Sequence, residues 1–88
     1  MNYTTHATTR MQQRGIGLKA IDALCTFGSE QADHHGANIL FLGKRDLMKI
    51  QRVESASLYR LLCEKPIYAI EKNGVIITVG HRYKKILR

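Results

Sequence analysis

Proline occurs once in this sequence, at Pro66, and tryptophan not at all; the aromatic side chains are four tyrosines and two phenylalanines. One proline among 44% hydrophobic residues excludes a proline-rich disordered chain and a collagen-like repeat. Two cysteines, Cys25 and Cys63, are too few for a disulfide scaffold, lack the Cys-x-x-Cys spacing of a zinc site, and read as buried structural thiols in apolar stretches. No apolar run approaches the roughly 18 residues of a membrane span, and no leader-like stretch opens the chain, so a cytoplasmic, membrane-free setting is expected. Acids are scarce and scattered, leaving no carboxylate cluster for magnesium, and there is no His-Glu-x-x-His motif. Gly15-x-Gly17 reads as a helix junction and not as a phosphate-cradling loop. Neither metal nor cofactor is expected.

What is present is positive charge. Fourteen Lys and Arg against seven Asp and Glu give a net charge of +7. The excess is local: residues 1–43 hold three bases and three acids, residues 44–88 eleven bases and four acids, and the last eight residues four bases and no acid. Such a field attracts the phosphates of nucleic acid or an acidic protein.

The 88 residues suffice for one domain, 1–88, with no internal repeat or linker. Thr4 or Thr5 caps a helix through Arg14, with Tyr3, Ala7 and Met11 as its apolar stripe and Gly15 to stop it. His6, Arg10 and Arg14 also recur every four residues and share a polar face. Leu18, Ile21, Leu24 and Cys25 mark a second amphipathic helix ending at Gly28. Ser29 to Gly36 is polar and carries no pattern, His34-His35-Gly36 reads as a turn, and Asn38 to Leu42 reads as a strand. Lys44 to Lys65 fits one kinked helix or two short ones, closed by Pro66.

Asn73-Gly74 between Ile67–Glu71 and Ile76–Val79 signals a hairpin with a two-residue turn. That turn sets Lys72 opposite Val75. A regular ladder then puts Tyr68 and Ile70 on the core face with Val75, Ile77 and Val79, and Glu71, Thr78, Arg82 and Lys84 on the other. His81 and Tyr83 follow the core face unless a bulge at Gly80 reverses them.

The remaining inventory of His, Arg, Lys and Tyr is what a metal-independent ribonuclease requires. RNA carries its own nucleophile: a base removes the 2′-hydroxyl proton, cations stabilise the charge growing on the phosphate, and an acid protonates the departing 5′-oxygen. Histidine suits either proton transfer, and the planar fork of Arg suits phosphate. His6, His81 and Arg82 are the catalytic candidates, with His6 and Arg82 expected at exposed positions. Arg10, Arg14, Thr78, Lys84 and Lys85 are the candidates for holding RNA. Blander readings stand beside these, and Thr78 reads first as a cross-strand packing residue. His6, Arg10 and Arg14 also fit the solvated face of an amphipathic helix, and the segment from His81 through Tyr83 to Lys85 fits a basic tail. A non-catalytic module that docks on nucleic acid or an acidic protein is the alternative from a different class.

His6-x-x-x-Arg10-Met11-x-x-Arg14-Gly15-Ile16, a short helix to Gly28, and a terminal Gly74-Val75-Ile76-Ile77-Thr78-Val79 together resemble a bacterial and phage family of small domains of unknown function placed near the RelE and BrnT toxins. The resemblance implies an α+β fold, with N-terminal helices packed on an antiparallel sheet of about four strands. It also implies an endoribonuclease of toxin–antitoxin type. Such a protein acts on RNA, in some relatives on ribosome-bound messenger, and is inactivated by a small acidic antitoxin. Its implied site positions are His6, Arg10, Arg14, Thr78 and the His81-Arg82 pair.

Overall fold

The computed structural model of the protein describes residues 2–33 and 35–82. In chain order the elements are β1 (Asn2–Tyr3), α1 (Thr5–Arg14), α2 (Leu18–Phe27), β2 (Ser29–Ala32), β3 (Asn38–Phe41), α3 (Lys44–Val53), α4 (Ala56–Glu64), β4 (Ile67–Lys72) and β5 (Val75–His81). His34, Tyr83, Lys84 and Lys85 lie outside the described residues.

Local chemistry sets most of the boundaries. The Thr4 hydroxyl accepts from the Ala7 N–H at 3.0 Å, capping α1, and donates to the Ile77 carbonyl at 3.1 Å, tying that cap to β5. Gly15 ends α1 with a left-handed φ of 65°, a conformation that glycine adopts at little cost. The long helical region divides in two at Glu54-Ser55, where the Ser55 hydroxyl accepts from the Leu58 N–H at 3.2 Å and starts α4. At the head of α3, the buried Asp46 carboxylate accepts from the Gly43 N–H and from the Ser29 hydroxyl, each at 2.8 Å, which fastens that helix to β2.

The fold is α+β, as expected, with four helices and a five-stranded sheet ordered β1-β5-β4-β3-β2. The sheet is mixed and not purely antiparallel, because β1 runs parallel to β5 while the other neighbours are antiparallel. Tyr3, expected on the stripe of the first helix, instead pairs with Ile76. The polar stretch after Gly28 supplies the edge strand β2. Asn73 and Gly74 take positive φ of 53° and 80°, as the two-residue hairpin turn requires.

The hairpin register corrects the regular ladder. Lys72 does pair with Val75, but a bulge between Ile70 and Glu71 sets Ile70 against Thr78 and Ala69 against Val79. One extra residue in β5, Ile77, shifts the later rungs by one and lets Ile76 and Val79 face the helices together, while the unbroken alternation of β4 turns Ile67 and Ala69 to that face and Tyr68 and Ile70 away from it. Ile67, Ala69, Val79 and His81 therefore share the face that meets the helices, while Tyr68 and Ile70 share the second face with Thr78 and Gly80. The core forms on the first face, where Leu40, Ile67, Ala69, Ile76 and Val79 pack with Ala7, Met11, Ile21, Leu24, Ile50 and Leu62 from all four helices. Cys25 is half-buried against this cluster, but Cys63 is exposed. It follows the inward-pointing Leu62 by one residue, about 100° further round α4. Among the described residues no helix is long and apolar enough to cross a membrane.

Candidate functional site

The side chains most suited to chemistry gather where α1, α4 and β5 all end. Thr4 is bound to Ile76 and Ile77, and Arg14 reaches Gly80, so α1 runs along β5 toward its C-terminal end. The end of α4 and the Lys65-Pro66 step lie beside it, since the Arg82 N–H donates to the Pro66 carbonyl at 2.8 Å. A cleft of about 150 Å³ opens there, lined by Arg14, Ile16, Leu61, Lys65, Ile67 and His81 among others. A second hollow of about 350 Å³ adjoins it, lined by Glu64, Lys65, Pro66, His81 and Arg82. His81 and Lys65 line both.

The Arg14 guanidinium also lies close against Gly80. A Cβ at position 80 would lie 2.8 Å from Arg14 Nη1, 2.8 Å from Tyr68 Cε1 and 2.9 Å from Tyr68 Oη. The guanidinium and the phenol thus take up the space that a side chain at position 80 would occupy. Tyr68 lies opposite Gly80 on the second face of the sheet, one rung from the Ile67–His81 pair on the first. Arg14 lies against the end of β5, beyond the Val75–Ile76 stretch covered by β1.

Arg82 is half-buried and anchored, not exposed as expected. Its Nη1 donates to the Leu42 carbonyl at 3.2 Å, and its guanidinium lies 5.4 Å from the Phe41 ring centroid, a cation–π contact. One of five N–H donors is engaged in that bond, which fixes the plane and leaves others for an anion. Thr78 is half-buried on the second face, two residues before Gly80.

The remaining candidates lie apart. His6 is exposed at the start of α1, two turns and about 12 Å along the axis from Arg14. The geometry separates it from His81 at the opposite end of β5. Arg10, between them on the helix, is half-buried, and its Nη1 is 3.4 Å from the Gln13 side-chain oxygen. Lys84 and Lys85 fall beyond the described residues. Two residues escaped the sequence reading. Lys65 looked like the residue before a proline, and Tyr68 like core packing; the Gly80-to-Tyr68 pairing exposes the second only once the bulge is placed. Burial, and after it the Asp22 carboxylate, pushes the Cys25 thiol above its ordinary value, in keeping with a structural thiol. Among the described residues no three His, Cys, Asp or Glu side chains are grouped to hold a metal ion.

Fold and site together define an α+β protein with a basic cleft, containing one histidine, at the end of its sheet. Set against family models, curated proteins and solved structures, the chain matches none of them.

Proposed function

We propose that the chain is a metal-independent endoribonuclease of toxin type, acting at the end of β5. The observation that carries this reading is that Arg14 and Lys65 line one cleft with His81. A histidine beside two cations is the minimal equipment for 2′-hydroxyl attack on an RNA phosphodiester. His81 takes the proton from the 2′-hydroxyl; the freed oxygen attacks the adjacent phosphorus; the bond from phosphorus to the 5′-oxygen breaks, and that oxygen takes a proton from Lys65. The products are a 2′,3′-cyclic phosphate and a 5′-hydroxyl, with no other reactant consumed. Arg14 and Arg82 hold the phosphate charge, the second from a plane fixed by Phe41 and Leu42. His6 has no part in this arrangement.

The net charge of +7 favours RNA as substrate and a small acidic protein as inhibitor. The test is incubation of the purified, folded chain with end-labelled RNA in EDTA, with and without ribosomes, followed by analysis of the new ends. Cyclic phosphate termini support the reading. Intact RNA in every lane, together with salt-sensitive binding, contradicts it and leaves the non-catalytic binding module.

A further inference from the structure

We infer that the exposed face of α3 is a second nucleic-acid contact, separate from the cleft, which holds the phosphate backbone of a double-stranded RNA stem. The choice of RNA rests on the reading above; the contact itself takes no part in cleavage.

The inference starts from the charge excess in the second half of the chain. Four of its eleven bases stand on one ten-residue helix, α3. Lys44, Met48 and Arg52 follow one another every four residues, and Arg45, Lys49 and Val53 form the adjacent row. All six are exposed. From Lys44 to Arg52 the cations cover about 12 Å of the helix axis. The single acid of the helix, Asp46, is buried and turned away from this face, its carboxylate accepting from Gly43 and Ser29, so it neutralises none of them.

Helix formation does not account for such a face. Lys44 and Arg45 stand in the first turn, where the helix dipole disfavours cations, and Arg45 and Lys49 are like charges four residues apart, which repel. A polyanion laid along the face offsets both effects. Two further observations select the kind of polyanion. Ile50 is buried in the core and Leu47 packs against it, so the apolar side of α3 is not free to enter a membrane. The helix carries no aromatic ring on which an unpaired base could stack, so its contacts are with phosphates, which a duplex holds at regular spacing. The face also adjoins the site: Leu42, whose carbonyl accepts from the Arg82 guanidinium at 3.2 Å, lies two residues before Lys44. An RNA held at Arg82 therefore has a flanking stem within reach of α3.

The experiment uses the whole chain and three probes: a labelled 2′-O-methyl RNA duplex, which cannot be cleaved, the same strand unannealed, and phosphatidylserine vesicles. The variant Lys49→Gln/Arg52→Gln, confirmed as folded by its thermal melt, is expected to lose about tenfold or more in duplex affinity and to lower the slope of log affinity against log salt by about 2. Its binding to the single strand is expected to change by less than about threefold. Arg52→Lys keeps the charge and is expected to bind the duplex as wild type does. Lys19→Gln/Lys72→Gln removes the same net charge from exposed positions outside α3 and is expected to lose less than about threefold. Unchanged duplex binding by the folded α3 variant, an equal loss in the Lys19/Lys72 variant, or tighter binding to the vesicles than to the duplex overturns the inference. Cleavage of a short single-stranded RNA in EDTA reads the other proposal separately: the α3 variant is expected to cleave as wild type does, and no cleavage by wild type, beside an intact effect of α3 on the duplex, overturns the cleavage reading alone.

Discussion

Arg14 Nη1 lies where the side chain of residue 80 would be, 2.8 Å from the position of a Cβ on Gly80. Two glycines in this chain are tight for different reasons, and they separate cleanly under substitution. At Gly80 the obstructing atoms are the far ends of two side chains, which can move, so Gly80→Ala is expected to cost about 1 kcal/mol. At Gly28 a Cβ would collide with the Leu24 carbonyl oxygen and lie 3.0 Å from the Phe41 carbonyl oxygen, both backbone. Gly28→Ala is expected to cost about 3 kcal/mol or more. Urea unfolding of the two variants measures the difference; an equal cost would mean that Arg14 and Tyr68 are held as rigidly as backbone.

Asp46 is the buried polar joint of the helical layer. Its carboxylate takes two hydrogen bonds, from Gly43 and from Ser29, so Asp46→Ala strands both donors and is expected to cost about 2 to 3 kcal/mol. Ser29→Ala removes one bond and is expected to cost about 1 kcal/mol. Denaturant midpoints check both, and a larger loss for Ser29→Ala than for Asp46→Ala would contradict the assignment.

Arg82 should behave as a structural clamp as well as a phosphate ligand. Arg82→Ala loses the bond to Leu42, the stack on Phe41 and the packing of the aliphatic stem, together about 1 to 2 kcal/mol. A double-mutant cycle with Phe41→Leu is expected to give a coupling of about 0.5 to 1 kcal/mol. Zero coupling would show that the stack contributes nothing.

Alkali should loosen the fold. Burial, then Asp22, raises the Cys25 thiol above 9.0; burial, then Cys25 and Asp22, raises the Tyr3 phenol above 10.0. Both groups hold their protons more tightly in the folded chain than in the unfolded one. Their contribution is therefore complete below the unfolded values and is lost as pH rises past about 9 and on through the raised folded values. Urea midpoints followed from neutrality into alkali are expected to fall in that window, and Cys25→Ser is expected to flatten the first part of the fall. Thiol labelling gives an independent check: exposed Cys63 should react fast and Cys25 slowly.

The legible parts of this fold were those in which a short pattern meets its own structural demand. Asn73-Gly74 has no better use than a tight turn, and the stripe from Ala7 to Met11 has none better than a helix. β1 and β2 were illegible for opposite reasons: two residues are too few to show alternation, and an edge strand of Ser, Glu, Gln and Ala has no apolar face to announce it. The bulge at Ile77 follows from tertiary demand, since Ile76 must face the core at one end of β5 and Val79 at the other. The bulge gives Tyr68 Gly80 as its partner in place of Val79, and so sets it near Arg14. The sequence showed Arg14 and His81 as candidates, but their meeting depends on α1 running beside β5, which no local pattern encodes. His6 had equal standing by residue type and lost it by position.

The most direct measurement is the rate of cleavage of end-labelled RNA in EDTA by wild type, His81→Ala and His6→Ala, each confirmed as folded by its thermal melt. The account predicts a loss of about a hundredfold or more for His81→Ala and an unchanged rate for His6→Ala. Full activity of His81→Ala, or its retention alongside loss in His6→Ala, would contradict the placement of the site at the end of β5.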